Sequence, residues 1–164
     1  IFLFLSFVLA YLLRIAQGFD LFIFIILISI LTDIGGYIFG KTFKGPKLTK
    51  ISPNKTYSGV IGSFVFSLIG GLIYIEYMPG TLLWSYLDGY EQIGIGYNLF
   101  TLFIILIISL ISQIGDLMIS YFKRLAKIKD TGNVLPGHGG LLDRIDGIIF
   151  AIPFTYIFLN FSFY

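Results

Sequence analysis

Long apolar runs restrict this fold more than any other feature, and residues 99–111 form an almost unbroken one. A bilayer core of about 30 Å takes about 20 apolar residues per helix, and runs of that kind recur along the chain. Inside lipid, every backbone N–H and C=O must be bonded within the protein, which leaves helices or a closed barrel. A barrel would show short segments of alternating polarity, whereas these runs are continuous. Composition agrees: 57% of the 164 residues are hydrophobic and 12% are charged, against about 25% charged in an ordinary soluble domain, and mean hydropathy is +0.92. The chain therefore reads as all-α, a polytopic transmembrane helical bundle forming a single membrane-embedded domain over residues 1–164. With no cysteine present, disulfides, a thiolate nucleophile and Cys-based zinc sites are excluded.

Five spans are expected, at about residues 1–13, 21–40, 57–78, 98–120 and 145–164. Position 1 is Ile, and the chain is apolar from there to Leu13. A signal peptide would open with a basic region, so the expectation is an N-terminal truncation inside a helix. Of eleven Lys and Arg residues, five lie in the loop after the second span, five in the loop after the fourth, and Arg14 stands apart. The loop over residues 79–97 holds Asp88 and Glu91 and no basic residue. The positive-inside rule then places the loops at residues 41–56 and 120–146 in the cytoplasm, at an inner membrane if the source is bacterial.

Residues 120–146 hold eight of the chain's twenty charges in 27 positions, broken by Gly132, Pro136, Gly137, Gly139 and Gly140. Gly and Pro at that density mark a turn-rich loop in water or lining a polar cavity. A wet, charged loop between two membrane helices is where chemistry is expected.

Asp33 and Asp116 lie within otherwise apolar spans, where a carboxylate costs about 2.5–3.5 kcal/mol on insertion scales. Ser112, Asp116 and Ser120 share a helical face, with Lys123 following. Asp33 lies at a similar depth, with Ser29 one turn earlier. A purely structural role, each acid pairing with a lysine or backbone group, is the plain alternative. Asp143 and Asp146 are three apart and share a face if the last helix has begun. Carboxylates without His or Cys partners suit a hard cation, and magnesium typically takes one or two carboxylates plus substrate phosphates. Compensation of the helix dipole would account for one of these two acids, though not for Arg144 between them.

The basic loops call for anions. Lys41, Lys44 and Lys47 suit acidic headgroups, at about 1 kcal/mol each. At Ser52, Pro53, Asn54, Lys55 and Thr56, hydroxyls, an amide and one ammonium crowd the mouth of the third span. Backbone N–H groups there and around residues 137–140 can cradle phosphate oxygens. His138, the one histidine, is as well suited to hydrogen bonding in the loop as to carrying a proton.

At these residues the chain resembles the CDP-diacylglycerol synthase family, the phosphatidate cytidylyltransferases. The signature is carried by Ser120, Lys123, Arg124, Lys129, Asp130, Gly132, Leu135, Pro136, His138, Gly139, Gly140, Asp143, Arg144, Ile145 and Asp146. Residues 52–56 resemble the family's second cytoplasmic motif, with Asn54 where lysine is usual and Tyr57 and Ser58 where Trp and Glu are usual. The resemblance implies joining of CTP to phosphatidate with magnesium, and a two-cation arrangement held by Asp116 and Asp143 with Asp146 nearby. Lys123, Arg124, Lys129 and Arg144 would then stabilise charge on the transferring phosphates, with Ser52, Lys55, Thr56, Ser120, His138, Gly139 and Gly140 at the substrates. Expected partners are CTP, phosphatidate, the bilayer and a second copy of the chain as a homodimer; no nucleic acid is expected. The rival readings are a CTP-dependent polyprenol or lipid kinase, an ion- or proton-coupled carrier using its intramembrane acids, and a scaffold for anionic lipids.

Overall fold

A computed structural model describes residues 1–49, 52, 55–77, 99–128, 131–132, 140 and 142–162, without the side chains of residues 143, 144 and 162. The helices are α1 (Phe2–Gln17), α2 (Phe19–Phe43), α3 (Tyr57–Tyr77), α4 (Leu99–Leu125), the short α5 (Leu142–Ile145) and α6 (Ile148–Ser162). No β-strand occurs among the described residues; Lys47 and Thr56 form an isolated bridge. The all-α bundle expected from the sequence is observed. Helices α2, α3 and α4 are each long and apolar enough to cross a membrane, while α1 and the apolar part of α6 are shorter apolar helices. At about 1.5 Å per residue, the 27 residues of α4 reach about 40 Å, beyond the hydrocarbon core.

The turn between α1 and α2 is a single residue. Gly18 adopts φ 90° and ψ 166°, a conformation that side-chain-bearing residues rarely adopt, so α2 starts directly where α1 stops. Helix α1 then packs on α2 and α6, with the Phe2 and Phe150 rings 4.7 Å apart.

Helices α2 and α3 make the most extensive contact in the bundle, because small residues let their backbones meet. A Cβ added at Gly35 would lie 2.4 Å from the Gly62 carbonyl oxygen, and one at Gly62 would lie 2.6 Å from that of Gly35. Close approach of this kind is how helices associate in lipid, where burial of apolar surface gives no driving force. Polar side chains tie the same region together. The Ser63 hydroxyl donates to the Thr32 carbonyl at 2.7 Å, and Thr32 Oγ1 is hydrogen-bonded to Ser109 Oγ at 2.8 Å. Thr32 thus links α2 to both α3 and α4, directly before Asp33. Apolar core residues surround these bonds, among them Phe24, Ile25 and Ile28 of α2, Ile105 and Ile108 of α4 and Ala151 of α6.

Two boundaries differ from the sequence expectation. Helix α4 continues through Ser120 to Leu125, so Lys123 and Arg124 belong to its last turn. The reason is electrostatic: cations at a helix C-terminus face the negative end of the dipole and stabilise it. Second, α5 ends at Ile145, and Asp146 and Gly147 form a turn before α6 begins at Ile148. Asp143 and Asp146 therefore do not share the face of one continuous helix.

Candidate active site

Helix direction brings the polar groups to one end of the bundle. Asp33 lies ten residues before the end of α2 and Asp116 nine before the end of α4, which puts each about 14–15 Å below its helix terminus. Lys55 precedes α3, and Asp146 lies in the turn preceding α6. The chain reverses between successive long helices, so the C-terminal ends of α2 and α4 meet the N-terminal ends of α3 and α6.

Lys55 is positioned by its backbone. The Leu48 N–H donates to the Lys55 carbonyl at 2.8 Å, and the Lys55 N–H donates to the Ser52 carbonyl at 3.1 Å. The next residue, Thr56, accepts the Gly59 N–H on its Oγ1 at 3.1 Å and so caps α3, satisfying a donor that the first helical turn leaves open. With the strand of chain fixed on both sides, the Lys55 ammonium forms an ion pair with Asp116 Oδ2. The other Asp116 oxygen, Oδ1, accepts the Ser120 hydroxyl at 3.4 Å. The expected face of Ser112, Asp116 and Ser120 is present on α4.

Asp146 completes the contact from the far side. It is 7% exposed, and its Oδ1 accepts the Gly147 N–H at 2.9 Å. Burial, followed by repulsion from Asp116 and a hydrogen bond shared with the Asp116 side chain, pushes the Asp146 carboxyl up to about 7. Two carboxylates this close hold one proton more readily than two negative charges. Asp33 interacts electrostatically with Asp116 and Lys55, and also with Asp146. Its place in the cluster, left undecided by the sequence, follows from the α2 and α3 crossing.

Glycine makes the approach of α6 possible. A Cβ at Gly147 would fall 2.3 Å from Ser112 Oγ, and one at Gly115 would fall 2.7 Å from the Phe150 ring. Ser112 is fully buried, and its Oγ has no hydrogen-bond partner among the described residues.

Among the described residues, no three acidic or histidine side chains converge with ligand geometry. The donors that are present fit magnesium in its usual mode: all are oxygens, two carboxylates are in contact, and Ser112 leaves a buried hydroxyl open one turn away. Magnesium commonly binds by one or two carboxylates and takes its remaining ligands from phosphates and water. Of the other predicted site residues, Gly140 is buried against Thr131, where an added Cβ would lie 2.4 Å from Thr131 Oγ1. Ser52 closes the turn before Lys55. Lys123 and Arg124 stand on the last turn of α4. Lys129, His138 and Gly139, and the side chains of Asp143 and Arg144, lie outside the described residues, as do Asp88 and Glu91.

The model of the cytidylyltransferase family matches residues 1–162. The chain belongs to the cytidylyltransferase family. Among curated relatives of this family member, the phosphatidate cytidylyltransferase of Brucella suis is 38% identical over 142 residues, 86% of this chain and 47% of the relative. That of Staphylococcus saprophyticus is 38% identical over 146 residues, 88% of this chain and 50% of the relative. That of Staphylococcus aureus is 39% identical over the same length. The chain spans about half the length of these relatives.

Proposed function

We propose that the whole protein transfers the cytidylyl group of CTP to phosphatidate, giving CDP-diacylglycerol and pyrophosphate. The observation that carries this reading is Asp116, ion-paired to Lys55 and hydrogen-bonded to Asp146, at the polar end of an otherwise apolar bundle. The relatives named phosphatidate cytidylyltransferase favour the same chemistry. They weigh against the kinase reading, and the gathering of acids at one end weighs against a carrier, whose acids would be spread through the membrane depth.

Phosphatidate already presents an oxyanion, so its attack on the α-phosphorus of CTP needs little general base. A new P–O bond forms at that phosphorus, the bond to the β-phosphate oxygen breaks, and pyrophosphate leaves with the electron pair. The obstacle is bringing two polyanions together. Magnesium, with a second cation in the family's arrangement, would supply charge neutralisation and in-line positioning. Asp116 and Asp146, with Asp143, are the residues to hold it. Ser120 supports Asp116 by donating to its Oδ1 from the following turn, and Ser112 holds its buried hydroxyl one turn before it. Lys123, Arg124, Lys129 and Arg144 stabilise charge on the α-phosphate and the departing pyrophosphate. Ser52, Lys55, Thr56, His138, Gly139 and Gly140 form the substrate-binding edge of the site. The acyl chains stay in the bilayer while the headgroup enters from the cytoplasmic side, the side set by the two basic loops. A homodimer is part of the same reading and is checked by cross-linking in the membrane.

The deciding experiment incubates full-length protein with phosphatidate, magnesium and CTP labelled at either the α- or the γ-phosphate, then extracts the lipid. Label from the α position alone, with pyrophosphate release, is expected; label from the γ position would establish the kinase reading instead.

A further inference from the structure

The Lys55 to Asp116 ion pair has a role that neither the family relationship nor the proposed reaction assigns. Three carboxylates, from α2, α4 and the turn before α6, interact across the polar end of the bundle. Like charges at this range oppose one another, so the cluster needs positive charge whether or not a metal ion is present. Lys55 supplies it. Its ammonium holds Asp116 Oδ2, and the two side chains are 26% and 23% exposed, so the pair is neither sealed from solvent nor free in it.

Anchoring and reach are divided within this residue. The Lys55 backbone is held by its bonds to Leu48 and Ser52, and the Thr56 cap fixes the residue that follows. The ammonium sits at the end of a flexible four-carbon stem and can change partners while its Cα stays in place. Asp33, which also interacts with Lys55, offers the ammonium a second carboxylate. On Asp116, the Ser120 hydroxyl is neutral and occupies the other oxygen. It can stay when a cation arrives, because a carboxylate has about four acceptor positions. The ammonium is the partner that gives way, because it and a divalent ion on one carboxylate repel each other.

We propose that Lys55 is the resident counter-ion of the acid cluster: it holds Asp116 until a divalent cation displaces it, and the released ammonium then turns to the nucleotide phosphates. The second half rests on the cytidylyl-transfer reading, and the first half does not. With Asn54 in the preceding position, Lys55 is the single ammonium of residues 52–56, so the same group serves both states. It is a positioning residue with a defined cost, since the cation must displace it before binding.

The test is Mn²⁺ binding by the full chain in nanodiscs, read from loss of the free-ion electron paramagnetic resonance signal, with no turnover required. Without nucleotide, Lys55→Gln should bind Mn²⁺ about tenfold more tightly, equivalent to 1.4 kcal/mol. Lys55→Arg, a permanently charged group able to grip Asp116 with two N–H donors, should bind it more weakly than wild type. With CTP present, the advantage of Lys55→Gln should shrink or reverse, because wild type then gains an ammonium on the phosphates. Equal or weaker Mn²⁺ binding by Lys55→Gln without nucleotide would overturn the counter-ion role. If Lys55→Gln does not fold, Lys55→Arg binding Mn²⁺ as tightly as wild type would overturn it. Absence of labelled lipid from the wild type, with the Gln and Arg variants still moving in opposite directions, would overturn the cytidylyl reading alone.

Discussion

Replacing Asp146 with Asn should stabilise the metal-free protein at alkaline pH while abolishing its turnover. Asp146 is buried, and its carboxyl is moved from an ordinary 3.8 to about 7. At about 1.4 kcal/mol for each tenfold change in proton affinity, the folded state penalises the charged form by about 4 kcal/mol. The sign follows from linkage. A carboxyl whose folded value is raised leaves stability intact below the unfolded value near 4, and stability falls as pH rises towards 7. Above about 7 the whole penalty applies. Asn keeps the oxygen that accepts the Gly147 N–H, and its uncharged amide can donate to Asp116. In chelator at pH 8, Asp146→Asn should therefore unfold at a higher temperature than wild type, by on the order of 10 °C for a chain of this size. At pH 4, near the unfolded value, the two should nearly coincide. Magnesium should raise the wild type at pH 8 and leave the variant almost unmoved. Thermal unfolding in one detergent, with and without chelator, measures all three. A variant less stable than wild type at pH 8 in chelator would refute the reasoning, because Asp146 would then be held as a satisfied anion.

Two further substitutions separate chemistry from packing. Asp116→Asn removes the carboxylate that Lys55 and Asp146 both engage, and it should lower cytidylyl transfer by about 10³-fold, on the scale seen when a group stabilising the transition state is lost; product analysis of extracted lipid measures it. Gly35→Val sets a side chain against the Gly62 carbonyl oxygen, where even a Cβ would lie 2.4 Å away. It should destabilise the bundle by about 1–3 kcal/mol, seen as a lower unfolding temperature in detergent, and it should weaken activity by shifting Asp33 and Lys55 relative to Asp116.

The helices were legible in the sequence because lipid leaves so few options. Residues 57–78 were expected as a span and α3 runs Tyr57–Tyr77; residues 21–40 were expected and α2 runs Phe19–Phe43. The end of α4 was less legible because Lys123 and Arg124 look like loop residues in a composition window, while at a C-terminus their charge prolongs the helix. The break at Asp146 and Gly147 was hidden for a related reason, since the spacing of Asp143 and Asp146 fits a helix and a turn equally well. Asp116 stood out by its cost in an apolar segment. Its pairing with Lys55 could not be read, because the contact depends on how α3 and α4 pack. Asp33 was visible as an oddity and acquired a place only through the Gly35 and Gly62 approach that brings α2 against α3. The opposite case is Thr56, whose hydroxyl looked suited to a phosphate and also caps α3 and meets Ser58.

The central claim is that acids from separate elements meet at one end of the bundle, and the absence of cysteine from the chain allows a direct test of it. Cysteines placed together at Asp116 and Asp146, in protein kept in its native membrane, should be joined by Cd²⁺ or mild oxidation and recovered as one cross-linked peptide by mass spectrometry. A Thr32 and Ser109 cysteine pair, replacing hydroxyls 2.8 Å apart, serves as the positive control. Cross-linking of both pairs is the predicted result; a joined control pair with Asp116 and Asp146 cysteines that stay separate would contradict the account.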